Sequence, residues 1–269
     1  MKLRHLPRAF VPTLRYLPLH FDSRRHEVYV HGLKRSGNHA VINWMIRQAR
    51  GPVAFLNNVE PGRSFLRPAD KVIVPGNGNG AAPLVIASYE DKELAEISGH
   101  PRERRRRATG AHVVELLVLR DPFNTFASRH RRKHRPFCHD RAYREWVKAQ
   151  WKDYAREFLG ETDHLSFGRV GVDYNRWFRD VDYRRALAER LDLPFSDAGI
   201  RDVPDYGGGS SFEGTGSDGR ADRMAVMDRW KELLDDQAFV DLFRGDHELF
   251  ELSRRIFGDL EGTEALVRG

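Results

Sequence analysis

Residues 27–48 read EVYVHGLKRSGNHAVINWMIRQ, and this stretch decides the fold. The β-branched and aromatic run at 28–30 predicts a short buried strand. Gly32 and Gly37 predict a tight loop after that strand. Apolar residues then recur at helical spacing, at positions 41, 42, 45 and 46. The stretch therefore predicts the order strand, glycine loop, helix.

The loop has the glycine spacing of a phosphate-binding P-loop, in which two glycines enclose four residues. Asn38 and His39 stand where the nucleotide-triphosphatase version requires Lys and then Ser or Thr, for the β/γ-phosphates and Mg²⁺. The positive charges lie inside the loop instead, at Lys34 and Arg35. Backbone N–H groups and a helix N-terminus still suit an anion. The loop therefore predicts a phosphate cradle without metal-dependent phosphoryl transfer, and the plainer alternative is a turn between a strand and a helix.

The net charge of +6 is unevenly distributed along the 269 residues. Residues 1–50 hold ten Lys and Arg against two acidic residues, and residues 101–150 hold fourteen against five. Two basic blocks in an otherwise acidic chain indicate a local polyanion site, whereas a nucleic-acid-binding protein would carry a general basic coat. The arginine-rich runs at 104–107 and 131–135 are expected to be mostly solvated loops.

No run approaches the roughly 20 apolar residues of an integral membrane span. The first 26 residues are basic and lack the apolar core and small-residue cleavage site of a signal peptide. They predict an N-terminal extension, with peripheral membrane contact left open, and residues 27–269 predict a single domain. Cys138 is the only cysteine, which fits a reducing compartment, so a cytoplasmic location is expected.

Along the rest of the chain, predicted strands alternate with predicted helices. Strands are predicted at 53–56, 84–87, 112–119 and 169–174. Helices are predicted near 88–91, at 123–132 with Pro122 as the first helical residue, at 141–159, at 175–191 and over 223–257. Irregular segments are predicted at 57–80, 99–110 and 194–222. This alternation predicts an α/β fold in which a parallel sheet is flanked by helices.

In such sheets a ligand lies beyond the carboxyl ends of the strands. Three predicted strands end in suggestive residues, namely the glycine loop, the segment 88–91, and Arg120. The Arg120 guanidinium suits bidentate contact with a phosphate. Ser128 follows eight residues later and would bind the same anion if the segment folds back. A solvent-facing or capping role is the alternative for this serine.

The glycine loop and the Arg120–Ser128 segment together resemble the sulfotransferase family that uses 3′-phosphoadenosine 5′-phosphosulfate (PAPS) and has a P-loop NTPase-like architecture. The resemblance spans residues 27–190 in order. It implies that the loop binds the 5′-phosphosulfate, that the second segment binds the 3′-phosphate, and that Tyr174 lies near the adenine. The donor-binding residues it implies are Arg35, Ser36, Gly37, Asn38, His39, Arg120, Ser128 and Tyr174.

The chain departs from the family pattern in two places. Asn38 and His39 replace two threonines that many members carry. The late Arg-Lys-Gly segment of the family is not recognisable, and the glycine-rich loop at 207–214, with Ser210 and Ser211, is expected to substitute for it.

The resemblance implies in-line sulfuryl transfer from PAPS to a hydroxyl or amine, without a metal. Arg35 and Lys34 would stabilise charge on the leaving phosphate. The acceptor implied is a small molecule or a glycan, and a carbohydrate or glycolipid is what family members commonly use.

A general base would deprotonate the acceptor. Glu90 is the first candidate, because it follows the strand predicted at 84–87, although it is also compatible with simply beginning a helix. Asp91 is the next candidate and is expected to cap that helix. His31 and His39 are further candidates.

Three other classes of protein share parts of this pattern. Another P-loop enzyme, such as a small-molecule kinase, requires Mg²⁺ and a lysine where Asn38 stands. A nucleic-acid-binding protein requires aromatic residues among its basic ones, and the arginine runs here are nearly free of them, so no nucleic-acid partner is expected. A non-catalytic nucleotide-binding protein would carry the same donor site without the base.

Overall fold

A computed structural model describes residues 19, 21–63, 71–74, 76, 80–109, 112–131, 135–203 and 218–268. Most of the predicted basic extension lies outside the described residues. The same holds for the predicted glycine-rich loop with Ser210 and Ser211.

The described chain contains a six-stranded sheet with the order β3-β2-β4-β1-β5-β6. The strands are β1 (His26–Gly32), β2 (Val53–Leu56), β3 (Lys71–Val74), β4 (Leu84–Glu90), β5 (His112–Leu119) and β6 (Val170–Asp173). All neighbours are parallel except β2 and β3, which pair antiparallel at one edge. The predicted α/β fold with a parallel sheet is therefore confirmed.

Helices connect the strands and cover the sheet. They are α1 (Asn38–Gln48), α2 (Leu94–Gly99), α3 (Pro101–Thr109), α4 (Pro122–Arg131), α5 (Arg135–His139), α6 (Arg141–Leu159), α7 (Tyr174–Arg179), α8 (Val181–Arg190), α9 (Gln237–Val240), α10 (His247–Phe257) and α11 (Glu264–Arg268). A 3₁₀ helix at Arg229–Leu233 precedes α9.

The core lies on both faces of the sheet, because alternate side chains of a strand point to opposite sides. On one face, Trp44 of α1 packs in the same cluster as Val30 of β1. On the other face, Trp151 of α6 packs in the same cluster as Leu117 of β5. The two layers fix the central strands β1, β4 and β5, whose carboxyl ends carry the predicted site residues.

The register places these strand ends side by side. Gly32, the last residue of β1, lies opposite Glu90 of β4 and Val118 of β5. Because parallel strands end at the same edge, the glycine loop emerges between the residues that follow β4 and β5.

Several predicted elements are confirmed at their bounds. The strands predicted at 53–56 and 112–119 and the helix predicted at 141–159 form with those limits. Pro122 begins α4, where its fixed φ and missing N–H are tolerated.

Other expectations were wrong. A helix, α3, forms in the arginine-rich segment predicted as a loop, and its buried Glu103 accepts hydrogen bonds from the Gly62 N–H and the Tyr89 hydroxyl. β4 runs on to Glu90, so no helix begins at 88–91. The predicted loop 57–80 contains the edge strand β3.

The helix predicted at 175–191 is in fact two helices. Asp180 separates α7 from α8 and caps α8, because its side chain accepts hydrogen bonds from the Asp182 and Tyr183 N–H groups. Val181, the first residue of α8, is 42% exposed.

The end of α6 is tied to the segment that leads into β6 by a buried carboxylate. Glu157 accepts hydrogen bonds from the Thr162 hydroxyl, from two backbone N–H groups at 164 and 165, and from Arg169. Burial alone would raise the pKa of Glu157, but these hydrogen bonds outweigh it and hold the pKa below its usual value.

Candidate functional site

The glycine loop connects β1 to α1 and ends at Gly37, the residue that caps the helix. Gly37 has a φ of 88°, and Arg35 also adopts a left-handed backbone with a φ of 74°. The first N–H groups of a helix have no intrahelical partners and carry a partial positive charge. The loop therefore leads into the N-terminus of the 11-residue α1, as its sequence predicted, and binding of an anion there stays a prediction.

Arg120, the residue after β5, reaches the loop and Ser128. Its Nη1 atom lies 3.3 Å from both the Ser128 hydroxyl oxygen and the Arg35 carbonyl oxygen, and Nη2 donates to the carbonyl of Val226. The Arg120 side chain and Ser128 are both buried. The structure thus brings together the arginine, the serine and the loop that the sequence singled out.

Tyr174 forms an aromatic wall beside the loop. Its ring lies 5.4 Å from the Arg120 guanidinium carbon and 5.5 Å from the Trp177 ring, nearly parallel to it. Burial raises the pKa of the Tyr174 hydroxyl, and the positive charges of Arg120 and Arg229 partly offset that rise. This tyrosine is therefore neutral at physiological pH, and it is 5% exposed.

Two side chains of the loop face inward. Ser36 is fully buried, and no residue in the described ranges hydrogen-bonds its hydroxyl. Asn38 donates from Nδ2 to the Leu33 carbonyl and to Glu90 Oε1, both at 3.1 Å. A buried hydroxyl without a partner is unusual, which marks Ser36 as a group that a ligand or water would satisfy.

Glu90 and His39 lie next to each other at the end of β4. Glu90 is 8% exposed, and its Oε1 atom lies 4.0 Å from His39 Nε2. The same His39 nitrogen lies 2.9 Å from Asn57 Oδ1. Asn57 was not predicted as a site residue, although its position directly after β2 was a usable signal.

His31 does not share this setting. It is fully buried within β1, 3.5 Å from Glu115 Oε1 and stacked on the Tyr89 ring. Glu115 lies in the middle of β5, away from the carboxyl ends of the strands. His31 is therefore a poor candidate for contact with an acceptor.

The prediction that Asp91 caps a helix was wrong. The next helix begins only at Leu94, and its N-cap residue is Glu93. Asp91 instead accepts a hydrogen bond from the Lys34 N–H at 2.9 Å, and it forms an ion pair with Arg129. Arg129 was missed because nothing in a helical arginine after Ser128 indicates that it is buried.

Arg229 is a second buried cation that the sequence did not indicate. It lies in the 3₁₀ helix, and its backbone N–H donates to Asn124 Oδ1 at 3.1 Å. Asn124 also donates to the Met227 carbonyl at 2.9 Å. These bonds join α4 to residues 226–229, so this segment forms one side of the site around Arg120.

The described residues contain no group of three or more His, Cys, Asp or Glu placed to hold a metal ion. They also contain no helix that combines the length and the apolar character needed to cross a membrane.

No protein-family model and no curated protein matches this chain. Among solved structures, the crystal structure of the mouse sulfotransferase SULT7A1 complexed with PAP is similar at a TM-score of 0.44 and 13% sequence identity. The similarity covers 91% of this chain and 92% of that one. It is a distant likeness, and the described strand order and contacts define an α/β protein with a glycine loop between β1 and α1.

Proposed function

We propose that this protein is a sulfotransferase that moves a sulfuryl group from PAPS to a hydroxyl or amine of an acceptor. The observation that carries the proposal is the position of Arg120. Its guanidinium contacts Ser128 and the glycine loop at once, so one cation lies beside both predicted phosphate sites. A donor with a 3′-phosphate and a 5′-phosphosulfate requires two anion sites held at a fixed separation.

The donor is assigned to the site in three parts. The 5′-phosphosulfate is assigned to Arg35 and to the residues Ser36, Gly37, Asn38 and His39 at the start of α1, where backbone N–H groups bind anions. The 3′-phosphate is assigned to Arg120 and Ser128, and the adenine to the Tyr174 ring. Ser210 and Ser211, outside the described residues, remain predicted donor contacts.

The chemistry is assigned to three side chains and needs no metal. Lys34 and Arg35 stabilise the charge that develops on the leaving phosphate. Glu90 takes the proton of the acceptor as sulfur bonds to the acceptor oxygen or nitrogen and the bond to the phosphate oxygen breaks. Because Asn38 donates to Oε1, the Oε2 atom is assigned as the proton acceptor.

The acceptor class is proposed as a carbohydrate or glycolipid, on the family resemblance alone. The single-domain organisation and the cytoplasmic location also remain predictions. The two alternative functions are those of a small-molecule kinase and of a non-catalytic nucleotide-binding protein. Against the kinase, the Asn38 side chain occupies the Walker lysine position and is bonded to Glu90 and to the Leu33 carbonyl.

The proposal is tested by calorimetric titration of the purified protein with 3′-phosphoadenosine 5′-phosphate (PAP) and, separately, with ATP plus Mg²⁺. We expect PAP to bind in the presence of EDTA and ATP to bind much more weakly. Transfer of radiolabelled sulfate from PAPS to a panel of glycans and glycolipids then tests catalysis. Binding of Mg-ATP but not PAP would instead identify a kinase, and PAP binding without transfer to any acceptor would favour a non-catalytic protein.

A further inference from the structure

A buried ion pair lies directly against the glycine loop. The Asp91 and Arg129 side chains are 6% and 2% exposed, and Asp91 Oδ1 accepts a hydrogen bond from Arg129 Nη2. Asp91 follows β4 and Arg129 lies in α4, so the pair joins two elements that flank the loop.

Both members of the pair bind the backbone of the same loop residue, Lys34, through the two peptide groups on either side of it. Asp91 Oδ1 accepts from the Lys34 N–H at 2.9 Å, and Arg129 Nε donates to the Lys34 carbonyl at 3.2 Å. The Asp91 N–H also donates to the Gly32 carbonyl at 3.2 Å. The backbone on either side of Lys34 is therefore held from both directions.

These hydrogen bonds to Lys34 affect the backbone conformation of the next residue, Arg35. Arg35 has a φ of 74°, a left-handed conformation that is unfavourable for a residue with a β-carbon. With the Lys34 carbonyl bound by Arg129 and the Arg35 carbonyl bound by Arg120, two successive carbonyls point at guanidinium groups. Carbonyls held in this way do not face an anion that binds at the start of α1.

We propose that Asp91 and Arg129 are positioning residues that keep the Lys34–Arg35 backbone in the conformation that binds the 5′-phosphosulfate. The inference rests on the proposed function and adds two residues to its donor site. Asp91 has a second effect on the same segment. Its buried Oδ2 atom lies 3.8 Å from Lys34 Nζ and has no hydrogen bond from the described part of the chain, so it holds the ammonium group near the loop.

The proposal differs from a purely structural role of the ion pair. A buried ion pair is a weak stabiliser by itself, and its removal is costly mainly because one charge is left without a partner. A structural role predicts a lower melting temperature with unchanged ligand affinity in the folded protein. A positioning role predicts a loss of affinity that is confined to the part of the donor that the loop binds.

The test uses the variants Asp91→Asn and Arg129→Lys, with calorimetry against PAP and AMP. Both nucleotides carry the 5′-phosphate, and only PAP carries the 3′-phosphate. We expect the affinity for each to fall about ten- to a hundredfold, as for loss of a charge-assisted hydrogen bond. The ratio of the two affinities should stay at the wild-type value, because Arg120 and Ser128 are unchanged.

The matched control is Asp236→Asn. Asp236 pairs with His130, the residue after Arg129 in α4, at 2.8 Å, and its carboxylate is 41% exposed. This variant also removes a carboxylate partner from α4, and we expect it to change PAP affinity less than about twofold. Thermal unfolding of each variant shows that it is folded at the titration temperature. Arg129→Lys keeps the buried positive charge beside Asp91 but lacks the planar guanidinium that donates to both Asp91 and the Lys34 carbonyl. It therefore tests the proposal if Asp91→Asn does not fold.

Three outcomes of these titrations would contradict the positioning role or the proposed function. If the wild type binds PAP and both folded variants bind it as tightly, the positioning role is wrong. A fall for PAP without a matching fall for AMP would also overturn it, because the pair would then act on the 3′-phosphate site. If the wild type binds no PAP, the proposed function itself fails, and that result is distinguishable from the other two.

Discussion

The ring of Tyr174 lies against the α-carbon of Gly37. A β-carbon added at Gly37 would come within 2.1 Å of the Tyr174 Cε2 atom, much closer than carbon atoms approach in proteins. Glycine is therefore required at position 37 for two reasons. A side chain would clash with the Tyr174 ring, and the φ of 88° is unfavourable for other residues. The aromatic wall and the anion cradle cannot both keep their positions if this residue gains a side chain.

Gly37→Ala is expected to displace Tyr174 and to weaken PAP binding by more than about tenfold, in line with the cost of overpacking. Calorimetry with PAP measures this loss. Gly245→Ala is the matched control, because Gly245 has a φ of 69° with nothing within 4 Å of an added β-carbon. It reproduces the backbone strain without the clash, so unchanged PAP affinity there assigns the effect to Tyr174. Equal affinity of Gly37→Ala and wild type would show that the ring is free to move away.

The Arg120–Ser128 contact predicts a preference for PAP over AMP. A charge-assisted contact with the 3′-phosphate is worth about 1.5–3 kcal/mol, so PAP should bind about ten- to over a hundredfold more tightly. Ser128→Ala should lower that ratio and leave AMP affinity unchanged, because the proposal assigns the Ser128 hydroxyl to the 3′-phosphate alone. Equal binding of PAP and AMP to the wild type would remove the basis of the 3′-phosphate site.

Activity is expected to survive EDTA, because Asn38 and His39 replace the residues that serve Mg²⁺ in nucleotide triphosphatases. In the same transfer assay, Arg35→Ala should abolish turnover. Lys34→Ala should have a smaller effect, because Lys34 Nζ is partly exposed and lies near Asp91. Strict Mg²⁺ dependence together with ATP hydrolysis would favour the kinase alternative.

Glu90→Gln is expected to lower kcat by about 10²-fold or more, because it removes the base but keeps an oxygen that accepts from Asn38. PAP affinity should be nearly unchanged. Glu60→Gln is the control, since Glu60 is exposed and pairs with Lys92 at 2.6 Å. Normal turnover of Glu90→Gln would make His39, 4.0 Å away, the next candidate.

Glu157 predicts acid sensitivity of the fold. Its pKa is lower in the folded protein than in the unfolded chain, where it is about 4.3, so the carboxylate stabilises the fold above that pH. The stabilisation is lost as pH falls through the folded pKa. Glu157→Gln should lower the free energy of unfolding at pH 7 by about 1.5–3 kcal/mol and should flatten its decline in acid.

Urea unfolding at several pH values measures both effects. Glu161→Gln is the comparison, because this exposed residue pairs with Arg255 and should contribute less than about 1 kcal/mol. An identical pH profile for wild type and Glu157→Gln would show that other carboxylates set the acid limit.

The local pattern of apolar and polar residues was sufficient to predict most strands of the sheet. β5 forms at its predicted bounds because it is a run of eight mostly apolar residues, which favours a buried strand. α6 forms at its predicted bounds because a long amphipathic stretch favours a helix. The edge strand β3 was missed although Val72, Ile73 and Val74 are β-branched, because the run is short and lies in a segment rich in Pro and Gly. α3 was missed because polarity suggested a loop, whereas the buried Glu103 that anchors it bonds residues 14 and 41 positions away.

The same distinction holds for the site. Arg120 and Ser128 were predictable because one strand end and one helix carry both, eight residues apart. The contacts of Asp91 with Lys34 and Arg129 span 57 and 38 residues, and no local signal reports them. Sequence therefore indicated that Arg120 and Ser128 lie together, but it did not indicate which residues hold the glycine loop in place.

The strand order has a consequence for how the protein is made. β1 is synthesised first among the strands, but it lies at the centre of the sheet, and its partners β4 and β5 begin at residues 84 and 112. The backbone of the glycine loop can form its hydrogen bonds with Asp91, Arg120 and Arg129 only once those residues have left the ribosome. Such long-range closure slows folding and exposes apolar strands meanwhile. The glycine loop is therefore expected to reach its final conformation only after about residue 130 has emerged.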